Sequence, residues 1–102
     1  MTANPRPYTE QEVLDQMLGH IAHMITYWMH ETKISEKGRM QGLVFSFLTM
    51  LDGQSRLPVF DLALNPHQDD AEFYKNRGEN WHEPLLISCM LHEEWAKKWM
   101  RD

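Results

Sequence analysis

Leu43-Val44-Phe45-Ser46-Phe47-Leu48-Thr49-Met50-Leu51, then Asp52-Gly53-Gln54-Ser55, then Leu57-Pro58-Val59-Phe60-Asp61-Leu62-Ala63-Leu64, is the most apolar stretch of the chain. Val44, Phe45, Phe47 and Thr49 suit a pleated surface. One parity reads Leu43, Phe45, Phe47, Thr49, Leu51 and the other Val44, Ser46, Leu48, Met50. Both are largely apolar, as in a strand covered on both sides, by this chain or by a second copy. Asp52-Gly53 is a turn signal, because glycine accepts positive φ without steric cost. Pro58 has no N–H and belongs at the start or edge of the second run. Asn65-Pro66 closes it. The stretch therefore reads as an antiparallel hairpin. A buried helix over residues 41–51 is the competing reading, since Leu and Met favour helices.

Upstream, Thr9-Glu10-Gln11-Glu12 forms a capping box. From there Val13, Leu14, Met17, Leu18, Ile21, Met24, Ile25, Trp28 and Met29 recur at helical steps, predicting a long helix to about Thr32. Residues 1–8, with Pro5 and Pro7, read as an extended lead-in. His20, His23 and His30 share one stripe of the helix, off its apolar face, where polar surface is the expected role. Lys33 to Met40 reads as a polar link with its turn at Gly38.

Downstream, Asp69, Asp70 and Glu72 suit the first turn of a short helix, with Lys75 and Arg77 in its last turn and Gly78 ending it. Phe73 is expected to pin that helix. Trp81 is expected to cover core from the loop that follows. Leu85-Leu86-Ile87 is either extended or the first turn of a last helix. Ser88 suits its N-cap. Leu91, Trp95 and Trp99 step by four through an amphipathic segment over 89–101, with His92 on the solvated side. The expected fold is α+β in one domain spanning residues 1–102. A long N-terminal helix packs on a central antiparallel hairpin, and two shorter helices follow.

The 102 residues suit a single domain, which at this size buries roughly 60–70% of its unfolded surface. A net charge of −5 argues against non-specific binding to nucleic acid. A single cysteine, Cys89, rules out an internal disulfide framework and a cysteine-based zinc cluster, and fits a reducing, cytoplasmic setting. No signal peptide and no run of membrane-spanning length is seen, so no membrane partner is expected. Eight Met and four Trp form an unusually large share, expected to fill a small core or face a partner.

Polar chemistry gathers after the apolar stretch. Asp61, His67, Asp69 and Asp70, with Asn80 and Trp81 as a wall, are the candidate ligand-binding residues. Oxygen and nitrogen donors of this kind could hold a small ligand or a divalent ion, or move a proton. Pro66-His67-Gln68-Asp69-Asp70-Ala71-Glu72 looks like the Pro/Ala-His-Pro-Asp-Asp-Glu motif of zinc-dependent amide-hydrolysing deacetylases. It has Gln68 in place of the second proline and its glutamate one position late, on a chain half the length that fold needs. No metal or cofactor is expected on this ground. The same residues also read as a strand end, a turn and a helix start.

Gly42, Phe45-Ser46, Leu51-Asp52-Gly53, Leu57-Pro58, Phe60-Asp61-Leu62, Asn65 to Asp70, Gly78-Glu79-Asn80-Trp81 and Leu91-His92-Glu93 together resemble a family of small bacterial proteins. These are met in phages and other mobile elements, including gene cassettes. The likeness covers roughly residues 40–93 and implies a setting, a horizontally moving bacterial gene. No activity is established for that family, so it carries no functional residues over. With no nucleophile–base pair, phosphate loop or complete ligand set, an enzyme is the less expected class. The expected function is a protein-interaction module, homodimeric, with a host or phage protein as a further partner. The alternative is a small-ligand or divalent-metal protein, hydrolytic in one version, using the Asp61/His67/Asp69/Asp70 cluster.

Overall fold

The computed structural model describes residues 5–87 and 90–100. Among them are four helices and a two-stranded antiparallel sheet, an α+β composition. Helix α1 spans Glu10–Met29. Its capping box is formed as expected: Glu12 N–H donates to Thr9 Oγ1 at 3.2 Å, and Thr9 N–H donates to Glu12 Oε1 at 2.9 Å. Arg6 adds an ion pair to Glu12 at 2.8 Å. The Arg6 guanidinium and the Thr9 amide hold the Glu12 carboxyl down at about 2.

The expected strand over 43–51 is not a strand. Helix α2 spans Glu36–Leu51. Ser35 caps it by accepting from Gly38 N–H at 3.1 Å, so the polar link expected over 33–40 is largely its first turns. The reason for the difference is α2's position between two other helices. Met50, Leu51, Leu43, Phe47 and Leu48 join Met17, Ile21 and Met24 of α1 in the core. On the other flank Gln41 and Phe45 meet helix α4, Leu91–Trp99. A helix covered on two sides is apolar nearly all round, and that erases the 3.6-residue period. The evenly apolar run then looks like a strand buried on both faces.

Asp52-Gly53 does turn the chain, but as a helix stop. Gly53 lies at φ 77°. Gly53 N–H donates to Met50 O and Gln54 N–H to Thr49 O, both at 3.1 Å. This pair of bonds is the Schellman arrangement, which satisfies the last carbonyls of a helix. The chain folds straight back: Phe60 N–H donates to Leu51 O at 2.8 Å, and Leu57 is buried beside Leu51. A Cβ on Gly53 would come within 2.7 Å of Val59 N, so the site needs glycine on two counts.

Contacts at both ends set α4 antiparallel to α2. At one end Gln41 Nε2 donates to Trp99 O at 2.9 Å and Trp95 Nε1 to Gln41 O at 3.3 Å. At the other, Asp52 meets His92. Helix α1 is tied on the opposite flank by Trp28 Nε1, which donates to Ser46 Oγ at 2.9 Å. The Trp28 ring lies across Gly42, where a Cβ would sit 2.4 Å from it. Helices α1, α2 and α4 thus stand side by side with α2 in the middle, and among the described residues the backbones of α1 and α4 do not come close.

An antiparallel pair does exist, but it joins the end of the expected second strand to residues 85–87. Strand β1 is Leu62–Leu64 and β2 is Leu85–Ile87, paired Leu62↔Ile87, Ala63↔Leu86 and Leu64↔Leu85. Between them lies α3, Asp70–Asn76, ended by Gly78 at φ 72° as expected. Among the described residues, β1, β2 and α3 pack on none of the other three helices. Residues 61–87 are therefore an arm leaving the helical body. Phe73 and Trp81, expected to pin and to cover core, are exposed on it. The reason is positional: there is no core within reach. Helix α4 is entered through Met90 in the left-handed region, while Ser88, the expected cap, lies outside the described residues, as do Cys89 and Arg101.

The shape follows. The radius of gyration is 18.4 Å, against about 13 Å for a compact chain of this length. The extents are 58 × 48 × 18 Å, a flat form. Among the described residues no helix is long and apolar enough to cross a membrane.

Candidate functional site

The structure places the six candidate residues of the sequence on the arm, five of them exposed and Asp70 half-buried. Asp61 precedes β1. His67, Asp69 and Asp70 form the turn into α3, and Asn80 and Trp81 lie on the return toward β2. His67 and Asp69 are brought together: Asp69 N–H donates to His67 Nδ1 at 3.1 Å, and Asp69 Oδ2 lies 3.7 Å from the same nitrogen. Asp70 N–H donates to His67 O at 3.0 Å. These bonds shape a local turn, and the His67 and Asp69 side chains are 67% and 81% exposed. Trp81 is held by others, with Lys75 Nζ 4.7 Å above its ring and Glu83 Oε1 accepting from its Nε1 at 2.8 Å. Asp61 and Asn80 join no hydrogen bond or ion pair with His67 or Asp69 among the described residues. No three His, Cys, Asp or Glu among the described residues gather into a metal-binding group.

The histidine stripe of α1 opens on a cleft. His20 and His23, with Tyr27, Phe45, Ser46, Thr49 and Ser55, line about 270 Å³ between α1 and α2. His30 stands apart, its Nδ1 2.8 Å from Thr26 O.

The buried polar chemistry lies elsewhere, at Asp52 and His92. Asp52 is the C-cap of α2, and its side chain is 2% exposed. Its Oδ2 accepts from His92 N–H at 2.8 Å and contacts His92 Nδ1 at 2.5 Å. Burial pushes the Asp52 carboxyl up. The backbone and ring hydrogen bonds of His92, with a further bond from the Leu91 amide, outweigh that and hold it below its ordinary value. An ionised carboxylate only accepts, so the His92 proton belongs on Nδ1. Phe45 packs edge-on against the imidazole at 5.4 Å. Asp52 thereby closes the end of α2 through its backbone N–H, which donates to Leu48 O at 2.9 Å, and its carboxylate serves as the distant N-cap of α4, whose own N-cap, Met90, offers no side-chain acceptor. Asp52 Oδ1 is buried with no hydrogen-bond partner among the described residues. The sequence puts His92 on the solvated side of its helix, whereas in the structure its side chain is only 17% exposed and bonded. The partners lie 40 residues apart, and no local signal links them. Chemically the pair orients an imidazole, and its role in the fold is to fasten two helix ends.

The third feature is apolar. Because paired residues share a face, Leu62, Leu64, Leu85 and Ile87 lie together on one side of the arm's sheet, with Ala63 and Leu86 on the other. All five aliphatic side chains larger than alanine are exposed, Leu86 to 66%. On the body, Met40 is 61% exposed between two grooves. One, of about 230 Å³, is lined by Ile25, Trp28, Met29, Arg39 and Leu43 among others. The other, of about 480 Å³, is lined by Lys37, Gln41, Val44 and Trp95 among others. Among the described residues, Met29, Met40, Met90, Met100, Trp81 and Trp99 of the Met and Trp surplus lie at the surface, while Met24 and Met50 are in the core. No known protein family, curated protein or solved structure matches this chain.

Proposed function

We propose that this chain is a protein-interaction module, homodimeric, acting in the bacterial cytoplasm as an accessory protein of a mobile element. The observation that carries the interaction reading is the arm: a two-stranded sheet with apolar residues on both faces, away from the core. A lone two-stranded sheet is marginal in water. Exposed apolar surface of this extent on an ordered element is characteristic of a contact site. The setting rests on the resemblance over residues 40–93 and the single Cys89. The candidate cluster around His67 is exposed and shaped by its own turn, so nothing in its geometry favours the ligand reading over the interaction reading.

The test is quantitative capture. The tagged chain and its Leu62→Lys variant are each incubated in bacterial lysate, and bound proteins are measured by mass spectrometry. The interaction reading expects a partner, a second copy of the chain included, retained by the wild type and lost at least tenfold by the variant, since charge in an interface core is disfavoured. Equal recovery by both would contradict it.

A further inference from the structure

We propose that two copies of this chain exchange arms, the Leu62/Leu64/Leu85/Ile87 face of each lying on the outer strip of the other's α2 at Met40 and Val44. This rests on the interaction reading and names its first occupant as a second copy.

Three observations carry it. The first is area. The chain exposes 8691 Å², whereas a compact monomer of 102 residues exposes about 6,100 Å². An excess of roughly 2,600 Å² per chain matches what each partner buries in the larger obligate homodimers. The second is layering. Stable domains close two packed layers on one core. Here α1, α2 and α4 form one row, the buried hydrophobic core among the described residues is limited to Met24, Met50, Leu51 and Leu57, and the middle helix keeps an apolar strip open between two grooves. An apolar sheet is the missing second layer, and this chain's own sheet is on the arm. The third is charge. Residues 61–87 hold six acids against two Lys/Arg, which is −4 of the chain's −5. Two such arms repel each other if they pair edge to edge. Beside the strip, Lys37 and Arg39 outnumber Glu36. Arm on body is therefore favoured over arm on arm.

The experiment is sedimentation velocity across concentration with two single variants and their mixture, helical circular dichroism confirming that each is folded. Leu85→Lys alters the arm face and Met40→Glu the strip. Leu62→Lys and Val44→Glu replace them should either fail to fold. The wild type is expected to sediment as a dimer, and each variant alone to associate roughly thirtyfold or more weakly, as for loss of an interface anchor. An equimolar mixture of the two is expected to recover the dimer. It keeps one unaltered arm-on-strip contact and places Lys opposite Glu in the other. A monomeric wild type overturns the proposal and leaves the capture experiment to judge the interaction reading separately. Dissociation by Leu85→Lys but not by Met40→Glu also overturns it, because the arms would then pair with each other. So does a mixture that stays monomeric.

Discussion

In the helical body, Met24, Met50, Leu51 and Leu57 are closed off from water; in the arm, Leu62, Leu64, Leu85, Leu86 and Ile87 are not. The two sets are similar in apolar character, so composition does not separate them. The difference is whether a second surface is within reach. Helix α2 has one on each flank, and it is held by side chains from distant positions: Trp28 on Ser46 within the helix, and His92 on Asp52 at its C-terminal end. The arm has only its own cross-strand pairs. Apolar residues form a core where the topology supplies two sides to it, and a contact surface where it supplies one.

The contrast predicts opposite sensitivities. The largest effect is expected in the core: Met50→Ala, at a wholly buried position, should lower unfolding free energy by about 2–5 kcal/mol in denaturant melts. Next comes the α1–α2 crossing. Gly42→Ala gains helix propensity of about 1 kcal/mol but drives a methyl into the Trp28 ring, so a net loss of about 1–2 kcal/mol is expected. A stabilised Gly42→Ala protein would show that the crossing is loose. Asp52→Ala removes the carboxylate that caps α4 and holds His92, and should cost about 1–2 kcal/mol.

The Asp52 carboxyl titrates below its ordinary value in the folded chain, so its contribution is present above about pH 4 and disappears as pH falls through the folded-state value. Melting temperature should therefore fall on acidification below that range, and Asp52→Asn should flatten part of the fall. An unchanged acid profile in the variant would place the sensitivity elsewhere. The smallest effect belongs to the arm. Leu86→Ala should change the stability of the helical body by no more than about 0.5 kcal/mol, measured on dilute protein. A loss of several kcal/mol there would abolish the distinction between the two regions.

The elements legible in the sequence were those with local signatures. Thr9 and Glu12 mark the start of α1 because a capping box is contained within four residues. Gly78 marks the end of α3 for the same kind of reason. The short stretch Leu85–Ile87 was legible as extended, as one of two readings. The stretch over 43–51 was not, because flanking by two helices gave it apolar residues in every direction and no period to read. Asp52-Gly53 was legible as a turn but not as a kind of turn, since a hairpin and a Schellman cap both ask for glycine at positive φ. The six candidate residues read as loop and helix-start positions, which is where they lie, but the exposure of all but Asp70 follows from the arm's separation from the body, which has no local sign. The Asp52–His92 pair had no local sign at all, being joined only by the antiparallel packing of α2 and α4.

Residue-resolved hydrogen exchange at two protein concentrations tests the two-region account most directly. Amides of residues 40–51 are expected to be protected in both dilute and concentrated samples. Those of Leu62–Leu64 and Leu85–Ile87 are expected to exchange freely when dilute and to slow at least tenfold when concentrated, as a second copy covers them. Arm amides as protected as α2 in dilute solution, or free exchange throughout 40–51, would contradict it.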